Sequence, residues 1–500
     1  MSELYLPEKY KVWQGDGHVG FCTVWSEPET LMKRAPELKQ GSALIGTLYS
    51  REGANIILRN LALNPDIGHL YLWGHDPLSR KPFGVVGKNV LKDIWERGIS
   101  DDGVVRGTKF KVHPEMDLGV LEKVVSNVRL VDISNSTFDE SVGLVGQTPK
   151  TVPYMDLQTF PEHKYEQGQP FPSEEVGFVT RSEKIFGAWL NVVDRIMRYG
   201  RIKETEYGSK QRELINVNWV IEGENTQNPF SPDLPQEVLE LIGAKKESIE
   251  QYYPEFMSAE LPEGAANTYG QRVGAWKPAN GGTISQVDKI IGHLKESPVT
   301  RRAVASTWNQ VVDADVAMKN PPCFIEMQAI QTDGKLHLLA TFRSHDIFKA
   351  AIPNAFALRR MQEYICQQTG FEVGSLSINS HSAHIYEEDW DSAKKTMDCL
   401  RWERETPLIF NSEHDSDPRG SVRIRVEKRL IVAELTTASG EELISLEGRT
   451  AKQVSKRLAT LDLLSRSDHL LDIGSELQKA ELAIRCRLPY EQDKPLIIRL

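Results

Sequence analysis

The sequence predicts an α/β N-terminal domain, then a larger α+β domain, then a small α+β C-terminal domain. Three observations carry this. Residues 1–145 alternate short apolar strand patterns with helical ones, as a largely parallel sheet requires. Residues 178–410 combine long helical stripes with two apolar strand runs joined at Asp333-Gly334, a strong hairpin signal. Beyond Asp415 a hairpin pattern is followed by two helical ones. The 500 residues also exceed the ~250 to 300 at which a single core stops growing.

In the first segment Ser42 to Leu48 and Leu70 to Trp73 read as strands, and Gly53 to Leu63 and Gly87 to Arg97 as helices, the second stopped by Gly98. Gly15-Asp16-Gly17-His18-Val19-Gly20 matches the spacing of a dinucleotide-binding turn. Phe21 to Trp25 after it reads as a strand, where phosphate binding needs a helix N-terminus, so the expectation is a plain turn entering a strand. Between 146 and 177, Pro149, Pro153, Pro161, Pro170 and Pro172 punctuate a polar stretch. Proline removes donors and holds the chain extended, which predicts a linker or a strap lying on a neighbour.

In the second segment Ile185 to Tyr199 and Ser285 to Leu294 carry apolar residues at helical spacing and are predicted as core helices. Glu222 to Tyr269 reads as loops with a short helix at Pro235 to Ile242. Phe324 to Ile330 and Leu336 to Phe342 form the hairpin, Ala355 to Gln368 a helix, and Phe371 to Ile378 a strand. In the third segment, 415–500, Val422 to Val426 and Leu430 to Leu435 pair as a hairpin, with helices at Ala451 to Leu464 and Ile473 to Cys486.

Hydrophobic content of 40% with 26% charged residues is that of an ordinary globular protein, and no apolar run reaches membrane-spanning length. The N-terminus lacks a charged-then-apolar signal pattern, so a cytoplasmic location is expected. Five scattered cysteines, Cys22, Cys323, Cys366, Cys399 and Cys486, without Cys-x-x-Cys spacing fit a reducing compartment and no structural zinc. A net charge of −10 argues against broad nucleic-acid binding.

The candidate chemistry lies between Pro321 and Tyr386. Pro321-Pro322-Cys323 holds a soft nucleophile at the entrance to a strand, where nearby arginines favour the thiolate. Arg343-Ser344 follows the hairpin; arginine's planar, permanently charged fork suits phosphate. Asn354 offers an amide donor and acceptor, a pair of polar groups suited to binding the edge of a ring. His381 and His384 are three apart, but with no third ligand motif a metal is not expected.

This run, with Thr300-Arg301-Arg302-Ala303, Ser306-Thr307-Trp308-Asn309 and Thr268-Tyr269-Gly270, resembles thymidylate synthase, and looks closest to the methanogen-type archaeal branch. The resemblance implies that Cys323 adds to carbon 6 of dUMP, making carbon 5 nucleophilic toward the methylene of a reduced pterin. It assigns Arg343 and Ser344 to the phosphate of their own protomer and Arg301 and Arg302 to that of the opposite protomer, hence a homodimer. Asn354 would pair with the uracil edge, His384 and Tyr386 would bind the deoxyribose hydroxyl, Asp346 the pterin ring, and Tyr269 would take part in removing the carbon 5 proton. Methylenetetrahydrofolate or methylenetetrahydromethanopterin would be the co-substrate, with dTMP as product. Departures stand beside this. The bacterial Pro-Cys-His is Pro322-Cys323-Phe324, the glutamine before Arg-Ser is Phe342, and the glutamate that organises the relay water falls on Asn216, with Glu213 one helical turn earlier as a substitute. They leave open a pyrimidine deoxynucleotide hydroxymethylase, or a nucleotide-binding regulator without catalysis.

From Ala54 through Ile133, with the strand before it, the first segment is similar to the corrinoid-carrying component of tetrahydromethanopterin S-methyltransferase, through Leu44-Ile45-Gly46-Thr47-Leu48, Leu72-Trp73-Gly74, Glu96-Arg97-Gly98 and Val104-Val105-Arg106-Gly107. Where that family presents a histidine to cobalt this chain has Arg80-Lys81-Pro82-Phe83-Gly84, with His75 and His113 only nearby. A bound cobalamin is therefore not expected. The last segment resembles an uncharacterised archaeal and bacterial C-terminal domain, through Asp468-His469 to Leu477 and Tyr490 to Leu496.

Overall fold

In the computed structural model, residues 3–7, 9–74, 87–165, 168–206, 208–227, 236–242, 252–254, 256–261, 267–278, 281–316, 318, 321–405, 417–437 and 439–497 are described. The chain divides into two compact units, Met1–Arg404 and Glu405–Leu500.

The first unit contains two sheets. Strands β1 (Val12–Gln14), β2 (Val19–Cys22), β3 (Ser42–Gly46), β4 (His69–Leu72) and β5 (Arg129–Asp132) form the N-terminal one in the order β1-β3-β2-β4-β5. All neighbours are parallel except β1, which runs antiparallel to β3 at the edge. Helices α1 (Pro28–Arg34), α2 (Glu37–Gly41), α3 (Gly53–Leu63), α4 (Gly87–Arg97), α5 (Leu118–Asn127) and α6 (Phe138–Gln147) accompany it. The expected α3 and α4 coincide with the observed ones. Gly15 and Gly17 make the turn into β2: a Cβ at either would meet the backbone of residues 39–42 at under 2.5 Å, so the glycines serve close packing of this turn. His75 and the turn Arg80 to Gly84 lie outside the described residues.

The proline-punctuated stretch is a strap. Tyr154 and Gln158 donate backbone N–H groups to the carbonyls of Pro65 and Ala62, and buried Arg59 of α3 donates to the carbonyls of Phe160 and Pro161. Tyr154, Met155 and Phe160 pack on the N-terminal core, while Tyr165 packs on the next one.

The central sheet has eight strands: β6 (Val176–Ser182), β7 (Arg201–Glu204), β8 (Lys210–Ile221), β9 (Val304–Ser306), β10 (Phe324–Thr332), β11 (Lys335–Phe342), β12 (His345–Asp346) and β13 (Glu372–Tyr386). Its main path is β6-β8-β13-β11-β10-β9, with β12 on β13 and β7 on β8. Helices α7 (Ile185–Tyr199), α8 (Gln236–Leu241), α9 (Tyr269–Gly274), α10 (Gln286–Glu296), α11 (Ala351–Thr369) and α12 (Trp390–Glu405) belong to this part. α7 buries the expected stripe of Ile185, Trp189, Val192, Val193 and Ile196. The β10–β11 hairpin turns at Asp333-Gly334 with φ of 51° and 80°, the positive pair a tight two-residue turn needs. α11 ends at Gly370, which takes the left-handed conformation at φ 82°.

The second unit is an antiparallel meander of β14 (Ser421–Glu427), β15 (Leu430–Thr436) and β16 (Glu442–Gly448), with helices α13 (Ala451–Thr460) and α14 (Ser467–Cys486). The third strand and the first turn and a half of α14 extend the expected pattern. Among the described residues no helix is long and apolar enough to cross a membrane.

Candidate active site

The hairpin sets the site's first edge. Phe324 pairs with Phe342 at its open end, and the Arg343 N–H donates to the Cys323 carbonyl at 2.9 Å, so Cys323 and Arg343 enter and leave the sheet side by side. The Arg343 guanidinium folds back: Nε donates to the Pro322 carbonyl and Nη2 to that of Pro321, both at 2.9 Å, with Trp308 5.6 Å away across its face. Proline carbonyls in an extended segment have no ladder partner of their own, and this fork supplies one.

The second edge is β12 on β13. His345 pairs with Ala383 and Asp346 with His384, and the Ile347 N–H donates to the His384 carbonyl. Ser344, partly exposed, thus lies between Arg343 and this ladder. Asp346 accepts from the Phe348 and Lys349 N–H groups through Oδ1, which fixes its carboxylate at the turn into α11. His384 is 2% exposed and its ring makes a T-shaped contact with Tyr386 at 5.0 Å. Burial pushes its imidazole below the ordinary histidine range, against the opposing pull of Asp346.

Asn354 projects from the first turn of α11 and is buried. It is not the cap of that helix, a position held by Ala350. Its Oδ1 accepts from Tyr252 Oη at 2.9 Å, and its Nδ2 lies 3.5 Å from His345 Nε2. His345 is itself buried, stacked on Phe342 at 3.8 Å and 5°, with Nδ1 2.9 Å from Ser380 Oγ. Sequence reasoning singles out neither Tyr252 nor His345. Tyr252 lies in the stretch that reads as loops, and His345 is hidden between two residues with assigned roles.

Tyr269 opens α9, whose cap is Thr268, and packs against Phe256, Phe324 and Phe342. Burial raises its phenol well above the ordinary tyrosine value, and the neighbouring Cys323 raises it further. The structure therefore brings Cys323, Tyr269, Arg343, Ser344, Asp346, Asn354, His384 and Tyr386 to one end of the central sheet. Arg301 and Arg302 stand apart. They are exposed, and the Arg301 carbonyl accepts from Gln328, five residues along β10 from Cys323, about 16 Å at strand rise.

The structure corrects the expectation for Glu213. It does not lie one helical turn before Asn216, because both residues are on strand β8. Asn216 is exposed at φ 59°, where the β8–β13 ladder skips the pair with His381. Asparagine tolerates this left-handed conformation, and past it the inward-facing set changes from Leu376, Ile378 and Ser380 to Ala383 and Ile385. Glu213 is buried opposite His384, receives hydrogen bonds from Ser382 and Gln211, and pairs with Lys203. It braces the His384 strand. His381 is exposed while His384 is buried, so the two rings do not converge.

A residue with no expected role joins the site to the N-terminal layer. Lys349 Nζ lies 2.7 Å from Glu388 and 2.8 Å from Asp389, and 5.5 Å from the centre of the Tyr386 ring. Burial works against its charge, but Asp389, Glu388 and Asp346 outweigh it and hold the ammonium above the ordinary lysine range. Arg51, just before α3, reaches Ser392 at 2.8 Å and Asp389 at 3.5 Å. Next to it Glu52 pairs with His113, whose other ring nitrogen is 3.2 Å from Arg59 and whose ring stacks on His163 at 4.2 Å. His113 is thus engaged at both nitrogens within the protein.

The family model described as Thymidylate synthase matches residues 242–417, and the one described as PterinBD-DUF4346 matches residues 416–493. A protein of Methanosarcina mazei named "Putative thymidylate synthase" is 35% identical over 223 residues, 45% of this chain and 96% of its own length. Proteins with the same name from Methanosarcina acetivorans and Methanocaldococcus jannaschii are 34% and 30% identical, over 45% and 44% of this chain and 96% and 97% of theirs. The chain belongs to the thymidylate synthase family. Every residue of the site cluster described above, from Tyr252 to Tyr386, falls within the stretch that the thymidylate synthase model matches, apart from the bracing Glu213. The relatives named above cover less than half of this chain, and residues 1–241, including the N-terminal layer, lie outside the stretch that the thymidylate synthase model matches.

Proposed function

We propose that this protein methylates carbon 5 of dUMP to give dTMP. The observation that carries the reading is the placing of Cys323 beside Arg343, on a segment braced by that arginine, at the sheet end where Asn354, His384 and Tyr386 gather. Cys323 Sγ would add to carbon 6, Arg343 and Ser344 would hold the phosphate, Asn354 would read the ring, and His384 with Tyr386 would take the deoxyribose hydroxyl. Carbon 5 then bonds to the methylene of a reduced pterin near Asp346. Loss of the carbon 5 proton with Tyr269 taking part, expulsion of the pterin nitrogen and hydride return from the pterin complete the methyl group, release Cys323 and leave a dihydropterin. Methylenetetrahydrofolate and methylenetetrahydromethanopterin are both candidates. The name of the family matching residues 416–493 supports a pterin-docking role for the second unit.

A homodimer belongs to this reading. Val179, Ile215 and Leu339 expose apolar side chains on strands of the central sheet, as self-association through that sheet would require. Arg301 and Arg302, remote from their own Cys323, would then serve the partner's phosphate. The test is incubation with dUMP and each methylene-pterin in turn, followed by product mass and pterin absorbance. A methylated product with dihydropterin supports the reading. A product one oxygen heavier identifies a hydroxymethylase, and an unchanged nucleotide with both pterins overturns the catalytic reading.

A further inference from the structure

Asn354 alone does not choose between pyrimidines. An amide with Oδ1 toward N3 and Nδ2 toward the exocyclic group matches uracil, which offers N3–H as donor and O4 as acceptor. Turned over, the same side chain matches cytosine, which offers an N3 acceptor and an amino donor. What decides is whatever prevents the turn. Here both ends of the amide have a partner: Tyr252 Oη donates to Oδ1 at 2.9 Å, and Nδ2 faces His345 Nε2 at 3.5 Å.

We propose that Tyr252 and His345 are positioning residues that lock the Asn354 amide in the uracil-reading orientation and so set the pyrimidine specificity of the site. The inference rests on the dUMP reading above. With Nε2 accepting from Asn354, the imidazole proton sits on Nδ1 and is donated to Ser380 Oγ at 2.9 Å, and Ser380 is anchored in turn by Trp219 Nε1 at 3.3 Å. Stacking on Phe342 at 3.8 Å holds the ring plane. All five residues, Tyr252, His345, Asn354, Ser380 and Trp219, are buried, so water offers no substitute partner; with the Tyr252 hydroxyl donating and His345 Nε2 accepting, a turned amide would set donor against donor at one end and acceptor against acceptor at the other. In the locked state Nδ2 retains one hydrogen and Oδ1 one lone pair, which are the two valences uracil uses.

The experiment measures dUMP and dCMP binding to the full chain by calorimetry, in the parent protein and in Tyr252→Phe and His345→Phe. Tyr252→Phe deletes one oxygen, and His345→Phe keeps a ring against Phe342. The parent is expected to prefer dUMP, and each variant to lose at least tenfold of that preference. A purely structural role would weaken both nucleotides equally, so an unchanged dUMP-to-dCMP ratio in Tyr252→Phe overturns the proposal while leaving the dUMP reading intact. Should His345→Phe fail to fold, Tyr252→Phe decides alone. A parent protein that binds neither nucleotide, and forms no adduct at Cys323 with 5-fluoro-dUMP and a methylene-pterin, overturns the dUMP reading and with it the proposal.

Discussion

Arg343 Nε donates to the carbonyl of Pro322 at 2.9 Å, so the guanidinium assigned to phosphate and the backbone carrying Cys323 form one mechanical piece. Arg343→Lys should break this twice over, because a single ammonium neither spans the two proline carbonyls nor grips phosphate with two parallel N–H groups. Expected is a dUMP affinity lower by tenfold or more, with a parallel fall in turnover. Unchanged calorimetric affinity would contradict both roles.

Cys323→Ser should abolish turnover and leave dUMP binding within a few-fold of the parent, because hydroxyl and thiol fill similar space but only the thiolate adds readily to carbon 6. Peptide mapping after trapping with 5-fluoro-dUMP should place the adduct on Cys323. Finding it on Cys366 or Cys399 would sink the assignment.

Lys349→Met should destabilise the first unit by about 3 kcal/mol, the scale seen when one member of a buried ion pair is removed and its partner charge is left uncompensated. Glu388 and Asp389 are the groups left behind. Thermal unfolding followed by circular dichroism should show a midpoint lower by several degrees. Restoring the cation with Lys349→Arg should recover part of it, and a variant as stable as the parent would show the cluster to be energetically neutral.

Asp417 gives the second unit a pH dependence of known sign. Burial pushes its carboxyl up, but hydrogen bonds from the Arg419 and Arg466 N–H groups, Ser465 and His469 prevail and bring it to about 2, below the ordinary 3.8. A lowered carboxyl stabilises the fold fully above the unfolded value near 3.8, and the contribution disappears as pH falls through about 2. Asp417→Asn should therefore cost about 2 kcal/mol, equally at pH 7 and pH 5, with the gap to the parent closing only below pH 4. Urea titrations at these pH values check it. A gap that already closes between pH 7 and 5 would contradict the assignment to the Asp417 carboxyl.

The parts of this protein that are visible from sequence are those whose signal is local. The hairpin at Asp333-Gly334 announces itself through a turn that tolerates two positive φ angles, and α7 through its buried stripe. Cys323, Arg343 and Asn354 stand in short motifs, so their convergence follows from the order of strands. Tyr252 carries no such mark: it sits among prolines and glycines without periodicity, and only the fold brings it to Asn354. β16 is hard to see because its alternation is diluted by Glu442, Ser445 and Glu447, and Leu446 is its only buried residue. The length of β13 is hidden because the left-handed Asn216 on its neighbour changes which residues face inward partway along. The link from Lys349 to Arg51 spans 298 positions, and no local pattern reports a partner that distant.

The strap has a consequence for the order in which the polypeptide is made. The last helix of the N-terminal layer ends at Gln147, yet Tyr154, Met155 and Phe160 complete its core, and Arg59 finds two of its acceptors only in the carbonyls of Phe160 and Pro161. A nascent chain that has released α6 from the ribosome still carries an open apolar seam and a buried guanidinium short of partners. It closes only after about fifteen more residues have emerged, while β6, the first strand of the next sheet, has still to follow. A gene cut at Gln147 would freeze the fragment in that unfinished state, whereas a cut placed after Tyr165 would carry the seal with it.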